Sequence, residues 1–452
     1  MMQFLIAAPR SGSGKTTVTC AFLAALKKRG CDPCAFKSGP DYIDPMFHRS
    51  VLGVESHNLD LYLSGRPTVQ RLYAHYAAGH GAAVCEGAMG FYDGQGLSTR
   101  ASAWELADAL DLPVLLVVQP RGASITLAAE LQGLLHFRTP SHIAGILLND
   151  CTEKLYSLLR PLLERETGLP VLGYLPHLPE VVIGSRHLGL KTAGEIAGLQ
   201  EKIALLSDAL VLDWDRLAAL TEQPLPQEQP PFPAAAADGA SVRIAVARDE
   251  AFCFTYAETL DALRSAGAEL CFFSPVHDIA LPEGACGLYL PGGYPELYAE
   301  QLSENTAMLA AIRQAIADGL PTAAECGGFL YLGRELEDAD GTLWPMVGIL
   351  PGRGVKTGRL VRFGYAMLTA RKDSMLFRAG EQLPIHEFHH WDSTENGTAF
   401  SVQKNEKMQW ECGFANEHFY AGFPHLYWAG TSLPCRFAAA ALHYKQHKRT
   451  DK

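Results

Sequence analysis

Two short segments of this chain combine residue types that do chemistry. The first is Ala8-Pro9-Arg10-Ser11-Gly12-Ser13-Gly14-Lys15-Thr16-Thr17, set between an apolar run and a helical pattern. The second is Ala323-Ala324-Glu325-Cys326-Gly327-Gly328-Phe329, which also follows an apolar run. The first reads as a loop that cradles phosphates, the second as a cysteine on a tight strand-to-helix turn. Together they point to ATP-driven use of something the thiol releases, and ammonia from glutamine fits that description.

A phosphate loop works through successive backbone N–H groups that point inward, with the helix N-terminus adding partial positive charge. Ser11, Gly12, Ser13, Gly14, Lys15, Thr16 and Thr17 are expected to bind the nucleotide. Lys15 would bridge phosphates and Thr16 would hold Mg²⁺. Pro9 stands where the common pattern has its first glycine. Two further segments follow apolar strands, Phe36-Lys37-Ser38-Gly39-Pro40-Asp41-Tyr42-Ile43-Asp44-Pro45 and Glu86-Gly87-Ala88-Met89-Gly90-Phe91-Tyr92-Asp93-Gly94. In doubly wound sheets, ligands sit beyond the carboxyl ends of the strands. Lys37, Tyr42 and Asp44 are therefore expected to contact phosphate or substrate. Asp41 and Glu86 join Thr16 as expected Mg²⁺ ligands. The alternative makes these acids ordinary surface-loop residues.

The glycines after Cys326 permit the close backbone approach of a nucleophile elbow, and the helix N-terminus favours the thiolate. Leu290-Pro291-Gly292-Gly293-Tyr294-Pro295-Glu296 ends an earlier strand, and Gly292 and Gly293 are expected to donate backbone N–H groups to an oxyanion. A thiol nucleophile needs a base, and His386, His389, His390, His425 and His443 are candidates. The spacing in His386-Glu387-Phe388-His389-His390 departs from HExxH and lacks an evident third ligand, so substrate contact is expected there in place of a metal.

These segments need elements to hold them. Apolar strands are expected at Gln3–Ala7, Cys34–Phe36, Ala82–Cys85, Val114–Val118, Ile143–Leu148 and Val171–Gly173, alternating with helices. The first helix presents Val18, Phe22, Ala25 and Leu26 on one face and stops after Lys27-Lys28-Arg29-Gly30. Residues 223–240, rich in Pro, Gln and Ala, read as a linker. The same grammar then resumes with strands at Val242–Ala247, Cys271–Phe273, Gly287–Leu290 and Thr322–Ala324 and a helix at Ala257–Ala266. The expected fold is α/β, with two doubly wound domains at residues 1–222 and 241–452. A net charge of −11 argues against a nucleic-acid partner, and no apolar run reaches membrane-spanning length. Without a signal-peptide pattern, cytoplasm is the expected location. The 11 cysteines, an odd number, form no disulfide framework, and the Cys31/Cys34 pair lacks a second pair to make a zinc site.

The chain resembles the cobyrinic acid a,c-diamide synthase family. The resemblance is carried by APRSGSGKTT, FKSGPDYIDPMFH, Asn58–Asp60, EGAMGFYDG, Ser185–Leu190, Ile244–Phe254, LPGGYPELYA, AECGGFLYL and IHEFHH, and spans essentially the whole chain. It implies a P-loop NTPase domain like that of dethiobiotin synthetase, followed by a class I glutamine amidotransferase domain with a flavodoxin-like fold. It also implies the chemistry: ATP phosphorylates a carboxylate of a corrinoid, Cys326 frees ammonia from glutamine, and ammonia displaces phosphate at side chain c and then a. Among the histidines the resemblance selects His425, and it aligns Asn149 with an adenine-reading Asn. Three features depart from the family pattern: Pro9, Gln119 where an Asp is usual, and Tyr427 where class I enzymes often carry a Glu. The third member of the Cys/His triad is thus unassigned. Nickel-sirohydrochlorin and hydrogenobyrinic acid present the same acetates and remain alternative substrates. A P-loop ATPase that partitions a partner is the reading from another class. Small molecules are the expected partners, with no nucleic acid or membrane, and the oligomeric state is open.

Overall fold

The computed structural model describes residues 1–179, 181, 193–225, 227, 230–232 and 241–450. The family-like segment Ser185–Leu190 and most of the expected linker lie outside the described residues. Two compact units emerge, Met1–Pro231 and Phe232–Lys452.

The first unit holds strands β1 (Met2–Ala7), β2 (Pro33–Ser38), β3 (Ser56–Leu59), β4 (Ala82–Glu86), β5 (Val114–Val118), β6 (Ile143–Asn149), β7 (Val171–Leu175) and β8 (Val211–Leu212). Its helices are α1 (Lys15–Lys28), α2 (Ile43–Phe47), α3 (Leu61–Ala77), α4 (Ala103–Leu110), α5 (Ile125–Phe137), α6 (Glu153–Thr167), α7 (Ala193–Ala209) and α8 (Trp214–Thr221). The eight strands order as β3-β2-β4-β1-β5-β6-β7-β8, all parallel except β8, which runs against β7. The expected strands are all present; β3 and β8 are additional. Val18, Phe22, Ala25 and Leu26 do form the buried face of α1. That face covers β1, where Phe22 meets Phe4 with ring centroids 5.4 Å apart. Because β1 pairs with both β4 and β5, the phosphate loop leaves the sheet centrally, with β4 and β2 on one side.

The second unit adds β9 (Val242–Ala247), α9 (Ala257–Ser265), β10 (Ala268–Phe273), β11 (Gly287–Leu290), α10 (Ala299–Glu304), α11 (Thr306–Ala317), β12 (Thr322–Glu325) and α12 (Gly327–Tyr331). There follow β13 (Glu335–Glu337), β14 (Leu343–Pro345), β15 (Arg353–Lys356), β16 (Arg362–Ala370), β17 (Gln382–His389) and β18 (Trp391–Ser393). Last come β19 (Phe400–Asn405), β20 (Met408–Cys412), β21 (Phe414–Ala415), β22 (Phe419–Gly422), β23 (His425–Leu426) and α13 (Leu433–Thr450). A six-stranded sheet, β10-β9-β11-β12-β22-β21, is parallel except at β21. One face packs on α10, α11 and α12. The other packs on α9, α13 and a five-stranded antiparallel sheet, β20-β19-β16-β17-β23.

Replacing Phe22 by Ala removes a fully buried ring from the α1–β1 contact. It is expected to cost about 3–5 kcal/mol, read as an earlier denaturant transition for the first unit with the second unit's transition unmoved.

Candidate active centres

In the first unit, β1 ends at Ala7 and the chain turns through Gly12 and Gly14, both at positive φ, before α1 begins at Lys15. Gly14, at φ 87°, caps the helix in a left-handed conformation, and a Cβ there would collide with the Asn149 amide. Only glycine meets both demands. The Asn149 Nδ2 donates to the Ser13 carbonyl at 3.1 Å, so the end of β6 is stitched to the loop. Ser11 and Gly12 are exposed, while Ser13 donates its hydroxyl to the Arg10 carbonyl. Lys15 donates to the Met89 carbonyl and, at 3.5 Å, to that of Arg10. Burial, with Lys37 adding to it, lowers the Lys15 pKa. Thr17 and Tyr42 are half-buried nearby in sequence to these groups.

The expected acids converge. Glu86, the last residue of β4, accepts from Thr16 Oγ1 and from Lys37 Nζ, both at 2.7 Å and both through Oε1. Lys37 also reaches Asp44 at 2.5 Å and Asp41 at 4.0 Å. Burial opposes the Lys37 ammonium, but Glu86, Asp44 and Asp41 outweigh it and hold the pKa above its ordinary value. Burial also opposes ionisation of Asp44, yet Lys37 prevails and lowers it. Glu86 is fully buried, and its Oε2 has no hydrogen-bond partner. A hydroxyl and a carboxylate oxygen, side by side at the start of a phosphate-loop helix, fit a hard cation whose remaining ligands come from phosphate and water. The described residues contain no group of three or more His, Cys, Asp or Glu able to hold a metal by themselves.

Residues to which the sequence analysis gave no site role complete this centre. Asn58 on β3 donates to the carbonyls of Gly39 and Asp41 at 2.9 and 2.7 Å, fixing the loop that carries Asp41. Asp93 accepts from Gly90 N at 3.0 Å and sets the turn after β4. Gln119, in the place of the usual Asp, donates to Asp150 at 2.9 Å and ties the ends of β5 and β6 together.

In the second unit, Cys326 sits between β12 and α12 at φ 47°, ψ −103°. A non-glycine residue at positive φ is strained, and it sits on the tight strand-to-helix turn that the sequence suggested. Its N–H donates to the Gly422 carbonyl at 2.8 Å, which pins the turn to β22. The 291–293 loop packs tightly against both partners. A Cβ on Gly292 would lie 2.6 Å from His425 Cε1, and one on Gly327 would lie 3.0 Å from Gly293 N. Gly292 and Gly293 thus lie beside His425 and beside the turn that follows Cys326.

The ionisation of the thiol differs from expectation. The short helix does not yield a resting thiolate: burial raises the Cys326 pKa, with Glu296 and Glu387 adding to it. His425, on β23, is buried, and burial, followed by His386 and His389, pushes it down to about 3. Both shifts favour the neutral forms, thiol and imidazole, because burial opposes each charge. Of the other histidine candidates, His443 lies on the terminal helix α13. His386 and His389 are buried on β17, while His390 is exposed. His389 Nε2 is 3.2 Å from Glu387 Oε2, and its ring stacks on Phe423 at 3.8 Å. Glu325 was also passed over; its carboxyl lies 3.9 Å from His425 Nδ1. A charged residue ending an otherwise apolar buried strand was the signal that could have found it.

A nucleotide-loop domain joined to an elbow cysteine with a buried histidine defines a glutamine-dependent amidating ligase. Residues 4–188 match the CobQ/CobB/MinD/ParA nucleotide binding domain, and residues 243–432 match the CobB/CobQ-like glutamine amidotransferase domain. The cobyrinate a,c-diamide synthase of Clostridium tetani is 38% identical over 95% of this chain and 98% of its own length. That of Salmonella typhimurium is 37% identical over 94% of this chain and 95% of its own. That of Dehalococcoides mccartyi is 40% identical over 86% and 85%. The chain belongs to the cobyrinate a,c-diamide synthase family. No helix among the described residues is long and apolar enough to cross a membrane.

Replacing Gly14 by Ala should weaken nucleotide binding at least about tenfold, a loss of about 1.4 kcal/mol, measured by titration calorimetry. Glutamine hydrolysis in the absence of nucleotide should be unaffected.

Proposed function

We propose that the chain converts the a and c acetate carboxylates of cobyrinic acid to amides, using ATP and glutamine. What supports this reading most is the occurrence, in one chain, of a phosphate loop whose Thr16 meets Lys37 of β2 at Glu86 and, in the other unit, of a cysteine at positive φ and a buried His425. In the first unit, residues 11–17 hold the nucleotide phosphates and Asn149 the base. Lys15 and Lys37 neutralise charge as the γ-phosphoryl group passes to a corrinoid carboxylate, giving an acyl phosphate and ADP. Asp44, paired with Lys37, orients that ammonium, and Tyr42 lines the substrate side. Mg²⁺ would be held by Thr16, Glu86 and Asp41, and would offset phosphate charge when bound.

In the second unit, Cys326 Sγ attacks the side-chain amide of glutamine while its proton passes to His425. Gly292 and Gly293 donate N–H groups to the oxyanion. His425 returns the proton to the departing ammonia, and water then hydrolyses the thioester to glutamate. Ammonia attacks the acyl phosphate and expels phosphate, and the cycle repeats on the second acetate.

The decisive test is incubation of the purified chain with cobyrinic acid, MgATP and glutamine. Two successive acid-to-amide mass changes are expected. Unchanged cobyrinic acid, with glutamine hydrolysis and ATP turnover intact, would transfer the same chemistry to nickel-sirohydrochlorin or hydrogenobyrinic acid. Lys15→Ala should lower amidation by about 10²–10³-fold while part of the glutamine hydrolysis survives; equal loss of both would contradict two separate centres. Cys326→Ser should block amidation from glutamine but not from high ammonium, both followed by product mass.

A further inference from the structure

Glu325 ends β12 immediately before the nucleophile, and it is 1% exposed. A carboxyl buried this deeply is costly unless its oxygens are engaged. Its Oε1 accepts from Trp428 Nε1 at 2.9 Å. Its Oε2 accepts from Leu426 N at 3.4 Å and lies 3.9 Å from His425 Nδ1. The Tyr289 hydroxyl on β11 is a further hydrogen-bonding partner. Leu426 and Trp428 follow His425 in sequence, so the carboxyl grips the backbone that carries the imidazole. The position two residues after the histidine holds Tyr427, which cannot supply a carboxylate; its ring packs edge-on against Tyr256, with centroids 5.0 Å apart.

We propose that Glu325 is the positioning residue for His425, taking the third place of the thiol–imidazole–carboxylate set from the strand that carries the nucleophile. This rests on the reading of Cys326 and His425 as nucleophile and base. The distance of 3.9 Å closes to a hydrogen bond when glutamine is bound, since such contacts are often long in a free enzyme. Nδ1–H then points at Oε2, which leaves Nε2 as the acceptor for the thiol proton. The S–H bond breaks and the Nε2–H bond forms, while the Nδ1 proton stays on the ring. The carboxylate stabilises the resulting imidazolium without being protonated. That stabilisation has particular weight here, because His386 and His389 on β17 both oppose a positive charge on His425.

Burial pushes Glu325 itself up to about 8, with Trp428, Leu426 and Tyr289 restraining the rise. Tyr420 on β22 and Cys326 also feel its charge. The ionised form is the active one, so glutaminase kcat/KM should climb as pH rises through about 8.

The test is E325Q in the full chain, with glutamine hydrolysis followed from neutral to alkaline pH. The glutamine side chain keeps an acceptor for Trp428 Nε1 but loses the charge. A fall in kcat of at least about tenfold is expected, with KM within about twofold of the parent and the climb near pH 8 abolished. E325D, which keeps the charge, should recover part of kcat and keep the climb. Parental kcat and pH profile in E325Q would overturn the proposal, and so would a raised KM with kcat intact. If E325Q does not fold, loss of the climb in E325D overturns it instead. C326A run alongside separates the two ideas: glutamine hydrolysis surviving in C326A would remove the nucleophile reading itself, whatever Glu325 does.

Discussion

The Lys37–Glu86 ion pair is the interaction on which the first unit's centre depends. Both groups are almost wholly removed from water, at 5% and 0% exposure; Lys37 is the cation that answers Glu86, and Asp44 and Asp41 add to its own support. The pair exists because β2 lies beside β4 in register, with Lys37 opposite Glu86. Three further elements then become coupled to it. α1 contributes the Thr16 hydroxyl, α2 contributes Asp44, and the loop tied down by Asn58 contributes Asp41. A pair of charges held against their desolvation cost is also preorganised. Little rearrangement is needed when more negative charge arrives with phosphate, which is the condition for electrostatic catalysis in a dry site.

The second unit solves a related problem differently. Glu325 also terminates a buried parallel strand, but no lysine or arginine among the described residues pairs with it. Neutral donors from Trp428, Leu426 and Tyr289 carry the load. The consequence is a carboxyl held by neutral donors, where Glu86 has a lysine beside it, although burial still raises the Glu86 pKa against the pull of Lys37.

Local chemistry was legible in the sequence, and distant pairing was not. The phosphate loop is a continuous segment whose glycines, lysine and hydroxyls each have a local reason, and it appears where expected. Strand β3 escaped notice because Ser56-His57-Asn58-Leu59 looks polar. It is nonetheless buried, since His48, Glu55 and the Gly39 and Asp41 carbonyls satisfy its side chains one by one. The strands after residue 335 include several of two to five residues that leave no period to read, whereas the alternation of buried positions in β16 and β19 was there to be read and was not used. His425 could be selected only by resemblance, because nothing in its neighbours distinguishes it from four other histidines. The thiolate expectation failed because the dipole of a five-residue helix is weak against full burial.

Cys326 and His425 belong to different layers. Cys326 follows β12 of the parallel sheet, whereas His425 lies on β23, which pairs with β17 of the antiparallel one. The two residues share no direct strand ladder: a single backbone bond, from the Cys326 N–H to the Gly422 carbonyl, and side-chain packing between the sheets set their separation. Packing of that kind loosens before backbone ladders come apart. Glutamine turnover should thus act as a sensitive gauge of core rigidity, fading under mild chemical stress while circular dichroism still reports an intact secondary structure.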